Sequence, residues 1–517
     1  MKKKNQLLIG AFILTLSGMF CRFAGFFYRI FLSYQLGAEG MGIYQLVFPA
    51  YGICMALCCS SIQTSLSRFV AGETARAGAS SRPLHKSSCK NRRTYFLCAL
   101  ILSLVLSLCS ALALYFYADV IALNLLSEMR CAPLLRVMAL AVPVCAVHSC
   151  IVGYYYGLQK TYVPAIAQII EQCVRMGSVF LIYQLAILNK QEFRTIHAIY
   201  GLVLGEIASL IFCLVSFGPL IAKERPCEEK GDPFSACMKK ILYLAVPMTA
   251  NRLILSLMQS GEAILIPGRL RIYGMEQSEA LALFGTLTGM ALPFILFPST
   301  LINSLAAMLL PEVAKAQATD NQTRIRRTSN ISIRLSLFLG ILCLGIFSFF
   351  GEALGSVVFG SETAGKFITQ MSFLCPFFYL SMTLATIING LGKTNVTFVH
   401  SLLSLAIRLV VIIFVMPHLG ITAYFYGLLA SEILLTGLHL SYLHRSYGLR
   451  LDLYEYVLKP CFILLPVCFT TALIQTFIQA NRNLPEIAGY LLAGVWFVCS
   501  FLLLSYLWNS PEEDAEP

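Results

Sequence analysis

The sequence predicts an all-α polytopic membrane protein, and three observations carry that prediction. The first is composition: of 517 residues, 58% are hydrophobic and only 12% charged, with a mean hydropathy of +0.75. A soluble chain of this length would divide into several domains, but so apolar a chain belongs in a bilayer. The second is rhythm: apolar windows of about 20 residues, each long enough to cross a hydrocarbon core of roughly 30 Å, follow one another along the whole chain. The third is the placement of charge, which alternates from one set of connectors to the other.

The windows give fourteen spans, near 7–34, 43–70, 94–118, 134–156, 162–187, 198–222, 241–266, 281–306, 332–350, 367–389, 396–416, 421–443, 457–478 and 486–508. Met1-Lys2-Lys3-Lys4 opens like a signal peptide, but the apolar run behind it is too long and lacks a small-residue cleavage site, so it is expected to stay as a span. An even number of spans puts both termini on one side. Counting loops and span ends, 24 of the 38 Lys and Arg fall on the side of the N-terminus and 7 on the other. The positive-inside rule therefore expects both termini in the cytoplasm of a bacterial inner (plasma) membrane. It also accounts for the net charge of +12 without nucleic acid. The largest connectors, Glu73–Arg93 and Lys223–Lys240, are too short to be domains, and the acidic tail Glu512-Glu513-Asp514 reads as a disordered cytoplasmic end.

The first span carries the most informative stripe. Thr15, Gly18, Arg22, Gly25, Arg29 and Ser33 recur at helical spacing on one face, while Leu, Ile, Phe and Met cover the others. An arginine near a bilayer centre costs roughly 2.5–3.5 kcal/mol, which makes such a residue a functional candidate unless it snorkels to an interface. Snorkelling suits Arg68 and Arg136, near span ends, and competes for Arg29.

The chain also repeats itself. Gly157-Leu158-Gln159-Lys160-Thr161 with Val163 and Arg175 matches Gly390-Leu391-Gly392-Lys393-Thr394 with Val396 and Arg408 at an offset of 233. Tyr200-Gly201-Leu202 with Glu206-Ile207 matches Tyr426-Gly427-Leu428 with Glu432-Ile433 at 226, and Glu73-Thr74-Ala75-Arg76-Ala77 echoes Glu312-Val313-Ala314-Lys315-Ala316 at 239. The order is kept and the drift is small, so a six-helix unit is duplicated as two parallel repeats. The expected lobes are 1–226 and 227–450, followed by helices 13 and 14 with the tail in 451–517.

Eleven ionisable residues lie within the spans: Arg22, Arg29, Arg68, Arg136, Arg175, Arg252, Arg408, Glu171, Glu206, Glu262 and Glu432. Facing lipid they would cost roughly 30 kcal/mol together, so they must face water or one another. Glu171 and Arg175 stand i,i+4 and can pair, whereas Ser404 takes the place of Glu171 beside Arg408. Arg252, Ser256 and Gln259 share a face of span 7, the repeat partner of span 1, with Glu262 one turn further round. An excess of guanidinium over carboxylate favours an anionic ligand, and phosphate most of all. Arg22, Arg29, Arg252, Arg175, Arg408 and Gln259 are thus substrate-binding candidates, and Glu171, Glu206, Glu262 and Glu432 coupling or structural acids. Prolines 49, 143, 164, 247, 293, 298 and 376 mark kinks.

Enzyme signatures are absent. Ile387 stands where a phosphate loop ending at Gly390–Thr394 needs its first glycine, and His439 and His444 have the wrong spacing for a zinc helix. The 19 cysteines show no CxxC pair and read as small packing residues. No cofactor or metal is expected, and energy must come from ion gradients, membrane potential or substrate supply.

Arg22-Phe23-Ala24-Gly25-Phe26-Phe27-Tyr28-Arg29 followed by Leu36-Gly37-Ala38-Glu39-Gly40-Met41-Gly42-Ile43-Tyr44-Gln45 resembles the opening of the polysaccharide-biosynthesis and oligosaccharide-flippase proteins. These belong to the multidrug/oligosaccharidyl-lipid/polysaccharide exporter superfamily, and the resemblance is strongest to the stage V sporulation protein B group. It implies two lobes around a central cavity, lipid-linked saccharide cargo, and a lipid-tail groove at spans 13 and 14. Peptidoglycan-precursor flippases of the superfamily carry cavity arginines in an Arg-x-x-Gly-Phe context, which Arg22 matches and from which Arg29 is displaced by one residue. Drug exporters carry an acid in the first span, and none stands here. The resulting reading is a flippase for a polyprenyl-diphosphate-linked saccharide. The alternatives are a cation-coupled multidrug exporter, and a non-transporting scaffold for cell-wall or spore-cortex synthesis proteins.

Overall fold

The computed structural model describes residues 2–79, 84–223, 232–449, 451–480 and 486–509. The acidic tail at Glu512–Asp514 and part of the second long connector lie outside these residues. Every described element is helical. Helices satisfy their own backbone hydrogen bonds, the one solution open to a chain of repeated apolar segments when no barrel forms. Among the described residues, thirteen helices are long and apolar enough to span a membrane. The first of them is a 65-residue run, Phe12–Arg76, broken at Gly37 and Val47 and, at about 1.5 Å per residue, longer than two crossings need. The chain is thus a multi-pass membrane protein.

The chain divides into two compact units, Met1–Gly285 and Thr286–Pro517. Unit 1 holds α1 (Lys2–Leu46), α2 (Phe48–Met55), α3 (Ser61–Ala79), α4 (Leu84–Phe116), α5 (Ala118–Val120), α6 (Cys131–Gly157), α7 (Tyr162–Leu188), α8 (Thr195–Lys223), α9 (Phe234–Tyr273) and α10 (Gln277–Gly285). Its core packs α3, α4, α6, α8 and α9 around Phe96, Tyr154 and Phe217, whose ring centroids lie 4.7–5.6 Å apart. Cys98, Cys150, Cys213 and Cys237 are buried in this core, and no disulfide forms among the described cysteines. Helix α9 packs on α2, α3 and α4 and so belongs to this unit by contact.

In α1, Gly37 takes φ +67° and ψ −179°, a backbone that a side chain resists, and this breaks the helix before it runs on to Leu46. Exposed Phe12, Leu16, Phe20, Phe23, Phe27 and Tyr34 form one apolar face of α1, the face suited to lipid. The connector expected over Glu73–Arg93 is largely helical instead: α3 runs to Ala79 and α4 begins at Leu84. Lys, Arg and Ser do not break a helix, so the polar composition marked the membrane boundary, not a loop.

Unit 2 holds α11 (Leu292–Leu296), α12 (Ser299–Ala318), α13 (Gln322–Phe359), α14 (Glu362–Met371), α15 (Cys375–Gly390), α16 (Thr394–Phe414), α17 (Met416–Leu419), α18 (Ile421–Tyr447), α19 (Lys459–Ala480) and α20 (Glu486–Asn509). One core joins α12, α13, α15 and α18 through Val313, Ile325, Leu384, Ile388 and Leu443. A second joins α13 to α19 and α20 through Phe350, Val467, Phe497 and Phe501. Pro376 sits in the first turn of α15, where a missing N–H costs nothing, and a short 3-10 turn separates that helix from α14.

Candidate functional site

Three helices of unit 1 converge on a group of charges. Helices α7 and α8 approach closely because α8 presents glycine at the crossing. A Cβ at Gly205 would stand 2.8 Å from the Glu171 carbonyl oxygen and 3.1 Å from the Arg175 Cβ. Small residues at a helix crossing let backbones approach, the usual device of membrane helices. The next residue, Glu206, therefore reaches 3.9 Å from the Arg175 guanidinium, which also donates to Glu171 on its own helix. From α6, His148 Nδ1 comes to 3.6 Å from Glu206 Oε2.

Ser209 orients the histidine. Its hydroxyl donates to the Ala167 carbonyl at 3.2 Å and lies 3.1 Å from His148 Nε2, so its free lone pair accepts from an Nε2–H. That leaves Nδ1 facing a carboxylate, a contact that is attractive only with a proton between the two. His148, Glu171 and Glu206 all place a ligand atom within 4.8 Å of one another, with Arg175 beside them. The adjacent guanidinium disfavours a metal ion, and the group is suited to hold and release a proton.

Unit 2 makes a simpler version. Arg408 Nη2 donates to Glu432 Oε1 at 3.0 Å, and Arg408 Nε and Nη2 both lie 3.1 Å from Ser431 Oγ. Ser381 Oγ donates to Glu432 Oε2 at 3.2 Å, and Ser404 Oγ to the Ser431 carbonyl at 3.0 Å. The matched positions thus make the same contact: Arg175 with Glu206 in one unit, Arg408 with Glu432 in the other. The offset of 233 sets Ser381 against His148 and Ser404 against Glu171, and that of 226 sets Ser431 against Gly205. Unit 2 keeps the arginine–glutamate pair and replaces the histidine and the second acid with hydroxyls.

The remaining candidates are differently placed. Arg22 and Arg29 are exposed on a face of α1 separate from its apolar stripe, and neither meets a hydrogen-bond or ion-pair partner among the described residues. Gly25, between them, faces Gln172 of α7, whose Nε2 would lie 3.5 Å from an added Cβ. Ser33, the last residue of the predicted stripe, is buried and donates to Ile30 O at 2.7 Å, so the accessible stripe stops at Arg29. On α9, Arg252 donates to Thr64 Oγ1 at 3.3 Å, opposite a face that exposes Tyr243, Val246, Ile254 and Leu257. Gln259 is exposed and Glu262 is buried on the same helix. Arg136 pairs with Asp119 at a helix end.

Sequence reasoning found the acids and arginines of both groups and missed His148, Ser209, Ser381 and Ser431. His148 lies in an apolar window, and its partners come from another helix. The offset that pairs Gly157 with Gly390 was the available signal, because it brings His148 and Ser381 to one position.

Residues 7–317 match the family profile described as "Polysaccharide biosynthesis protein". The chain belongs to that family. It is 25% identical to the stage V sporulation protein B of Bacillus subtilis (strain 168) over 520 residues, covering 98% of this chain and 97% of that protein. It is 22% identical to the lipid II flippase MurJ of the same organism over 430 residues, covering 78% and 76% of the two chains. Among solved structures, it resembles a lipid II flippase MurJ in an inward closed conformation, with a TM-score of 0.70 at 13% identity over 96% of this chain and 98% of that one. It also resembles an inward-facing multidrug resistance transporter of the MOP superfamily, with a TM-score of 0.67 at 13% identity over 85% and 98%. These likenesses show the fold, and the relatives named for an activity are flippases and transporters, not enzymes.

Proposed function

We propose that this family member is an alternating-access flippase that moves a polyprenyl-diphosphate-linked saccharide, a peptidoglycan precursor or related polysaccharide unit, from the inner to the outer leaflet. The observation that carries this reading is the contrast among arginines. Arg175 and Arg408 are neutralised by glutamates of neighbouring turns and helices, whereas Arg22 and Arg29 have no acidic partner among the described residues and Arg252 meets only a hydroxyl. Three cations without carboxylates in a membrane-embedded unit call for an anion, and a diphosphate suits guanidinium forks. In this reading Arg22, Arg29 and Arg252 hold the diphosphate, with Gln259 toward the saccharide. Arg175 and Arg408 stand behind them as charge-balanced supports.

The proposal includes fourteen spans as two parallel six-helix repeats, lobes at 1–226 and 227–450, helices 13 and 14 in 451–517, and both termini in the cytoplasm. The acids Glu171, Glu206, Glu262 and Glu432 serve as coupling or structural groups, with His148 as the proton carrier beside the first two. The structural likeness to multidrug transporters favours a second reading, a cation-coupled exporter, but α1 carries no acid in its spanning part.

Native mass spectrometry of the detergent-purified protein tests the reading, with Arg22→Ala/Arg29→Ala/Arg252→Ala beside the wild type. A co-purifying polyprenyl-diphosphate saccharide that the triple variant loses is the expected result. An empty wild-type protein that takes up cationic drugs instead would favour the exporter, and no ligand of either kind would favour a scaffold for cell-wall synthesis proteins.

A further inference from the structure

A second basic site lies in unit 2, apart from the residues assigned to the cargo. A pocket of about 550 Å³ is lined by Arg326 and Asn330 of α13, His444 of α18, and Gly448 and Leu449 just beyond it. Its three polar side chains each keep a polar atom without a partner among the described residues. Arg326 donates through Nε to the Tyr447 carbonyl at 2.7 Å, one of the open carbonyls at the end of α18. This holds the guanidinium and leaves its terminal nitrogens free for a bidentate contact. Gly448 makes that position available: it caps α18 at φ +63°, and a Cβ there would stand 2.7 Å from Arg326 Nη2.

His444 donates through Nδ1 to the Leu449 carbonyl at 2.9 Å, which turns Nε2 free. The Asn330 Oδ1 is buried without a hydrogen-bond partner. Arg326 meets no carboxylate among the described residues. The acids of the following segment are engaged elsewhere: Asp452 accepts from the Tyr454 and Glu455 backbone, and Glu455 pairs with Lys459.

The surroundings say where the ligand comes from. Within ten residues of Leu449 the chain exposes Leu453, Tyr454 and Leu458, and Lys459 lies 6.0 Å from the Trp508 ring. Exposed Leu and Tyr next to a Lys–Trp pair are the dress of a membrane interface. On the orientation proposed above, this end faces the cytoplasm.

We propose that this pocket binds the headgroup of an anionic phospholipid from the adjacent leaflet: the phosphodiester on Arg326, and a headgroup hydroxyl donating to Asn330 Oδ1. A phosphodiester alone offers no donor for that orphaned oxygen, whereas a phosphatidylglycerol headgroup offers two. The site is independent of the cargo arginines, so an Arg22→Ala/Arg29→Ala/Arg252→Ala variant keeps it.

The test is a titration of delipidated, full-length protein with phosphatidylglycerol, read as lipid adducts in native mass spectrometry, with phosphatidylcholine and inorganic phosphate in parallel arms. Arg326→Gln is expected to weaken phosphatidylglycerol binding about tenfold, as befits a lost charge-assisted contact. Arg327→Gln, the same charge change one residue on, is expected to leave it within about twofold. Asn330→Ala, milder for folding, should weaken phosphatidylglycerol but not phosphatidic acid, which has no headgroup hydroxyl to lose. Equal losses for Arg326→Gln and Arg327→Gln would reduce the effect to surface charge and overturn the proposal. Binding of phosphatidylcholine as tight as that of phosphatidylglycerol, or displacement of the lipid by millimolar inorganic phosphate, would also overturn it.

Discussion

Glu432→Gln should cost far more stability than Glu206→Gln, although the two acids hold matched positions. Arg408 and Glu432 are 3.0 Å apart with side chains 13% and 5% exposed. With an effective dielectric of about 20, a pair at that separation attracts by roughly 5–6 kcal/mol before desolvation is counted. Removing one partner of such a buried pair costs about 3–5 kcal/mol, because the other charge is stranded. After Glu432→Gln, Arg408 loses the carboxylate 3.0 Å away and faces an amide beside the Ser431 hydroxyl. After Glu206→Gln, Arg175 still has Glu171, its closer partner, so the loss there should be nearer 1–2 kcal/mol, the scale of one hydrogen bond to a charged group. The assay is thermal unfolding of the detergent-purified protein, comparing midpoints of both variants with the wild type. Arg408→Met/Glu432→Leu, which removes both charges, should recover much of what Glu432→Gln loses. Equal losses for the two glutamines, or a double variant no better than Glu432→Gln, would refute the view that these pairs carry different roles.

Gly205→Ala should lower the unfolding midpoint by the equivalent of about 1–3 kcal/mol, since its Cβ meets backbone at 2.8 Å, whereas Gly18→Ala, with open space around it, should be silent in the same assay. Acid stability should depend on Glu128, which lies between the spans. Burial works against its charge, but hydrogen bonds from the Arg130 side chain and backbone and from Gln277 outweigh burial and hold its carboxyl below the usual glutamate value. The folded group is thus more acidic than the unfolded one, so its contribution is present above about pH 4.3 and is lost as pH falls through the lower folded value. Glu128→Gln should flatten that acid limb in a pH series of unfolding midpoints.

Much of the fold was legible because bilayer physics is severe: a chain this apolar must be helical, and each crossing needs about 20 residues. The matched offsets located Arg175, Arg408, Glu206 and Glu432, and those residues do pair within their units. What escaped was set by packing across helices. Gly205 looked like any glycine of an apolar window, yet it decides how near Glu206 comes to Arg175. His148 carried no local sign of its partners. The polar stretch after Glu73 looked like a loop, because composition reports the water boundary and not the backbone. The cysteines were read correctly as packing residues in the core of unit 1, while Cys109 and Cys173 are exposed.

The central claim is that the arginines without acidic partners on α1 carry an anionic lipid-linked cargo across the membrane. Its most direct test is transport in proteoliposomes, with a labelled polyprenyl-diphosphate saccharide placed in one leaflet and its arrival in the other read by a membrane-impermeant reagent. The account predicts movement by the wild type and loss with Arg22→Ala/Arg29→Ala, while the charge-preserving Arg22→Lys/Arg29→Lys keeps a part of it. Undiminished movement by the alanine variant would contradict it.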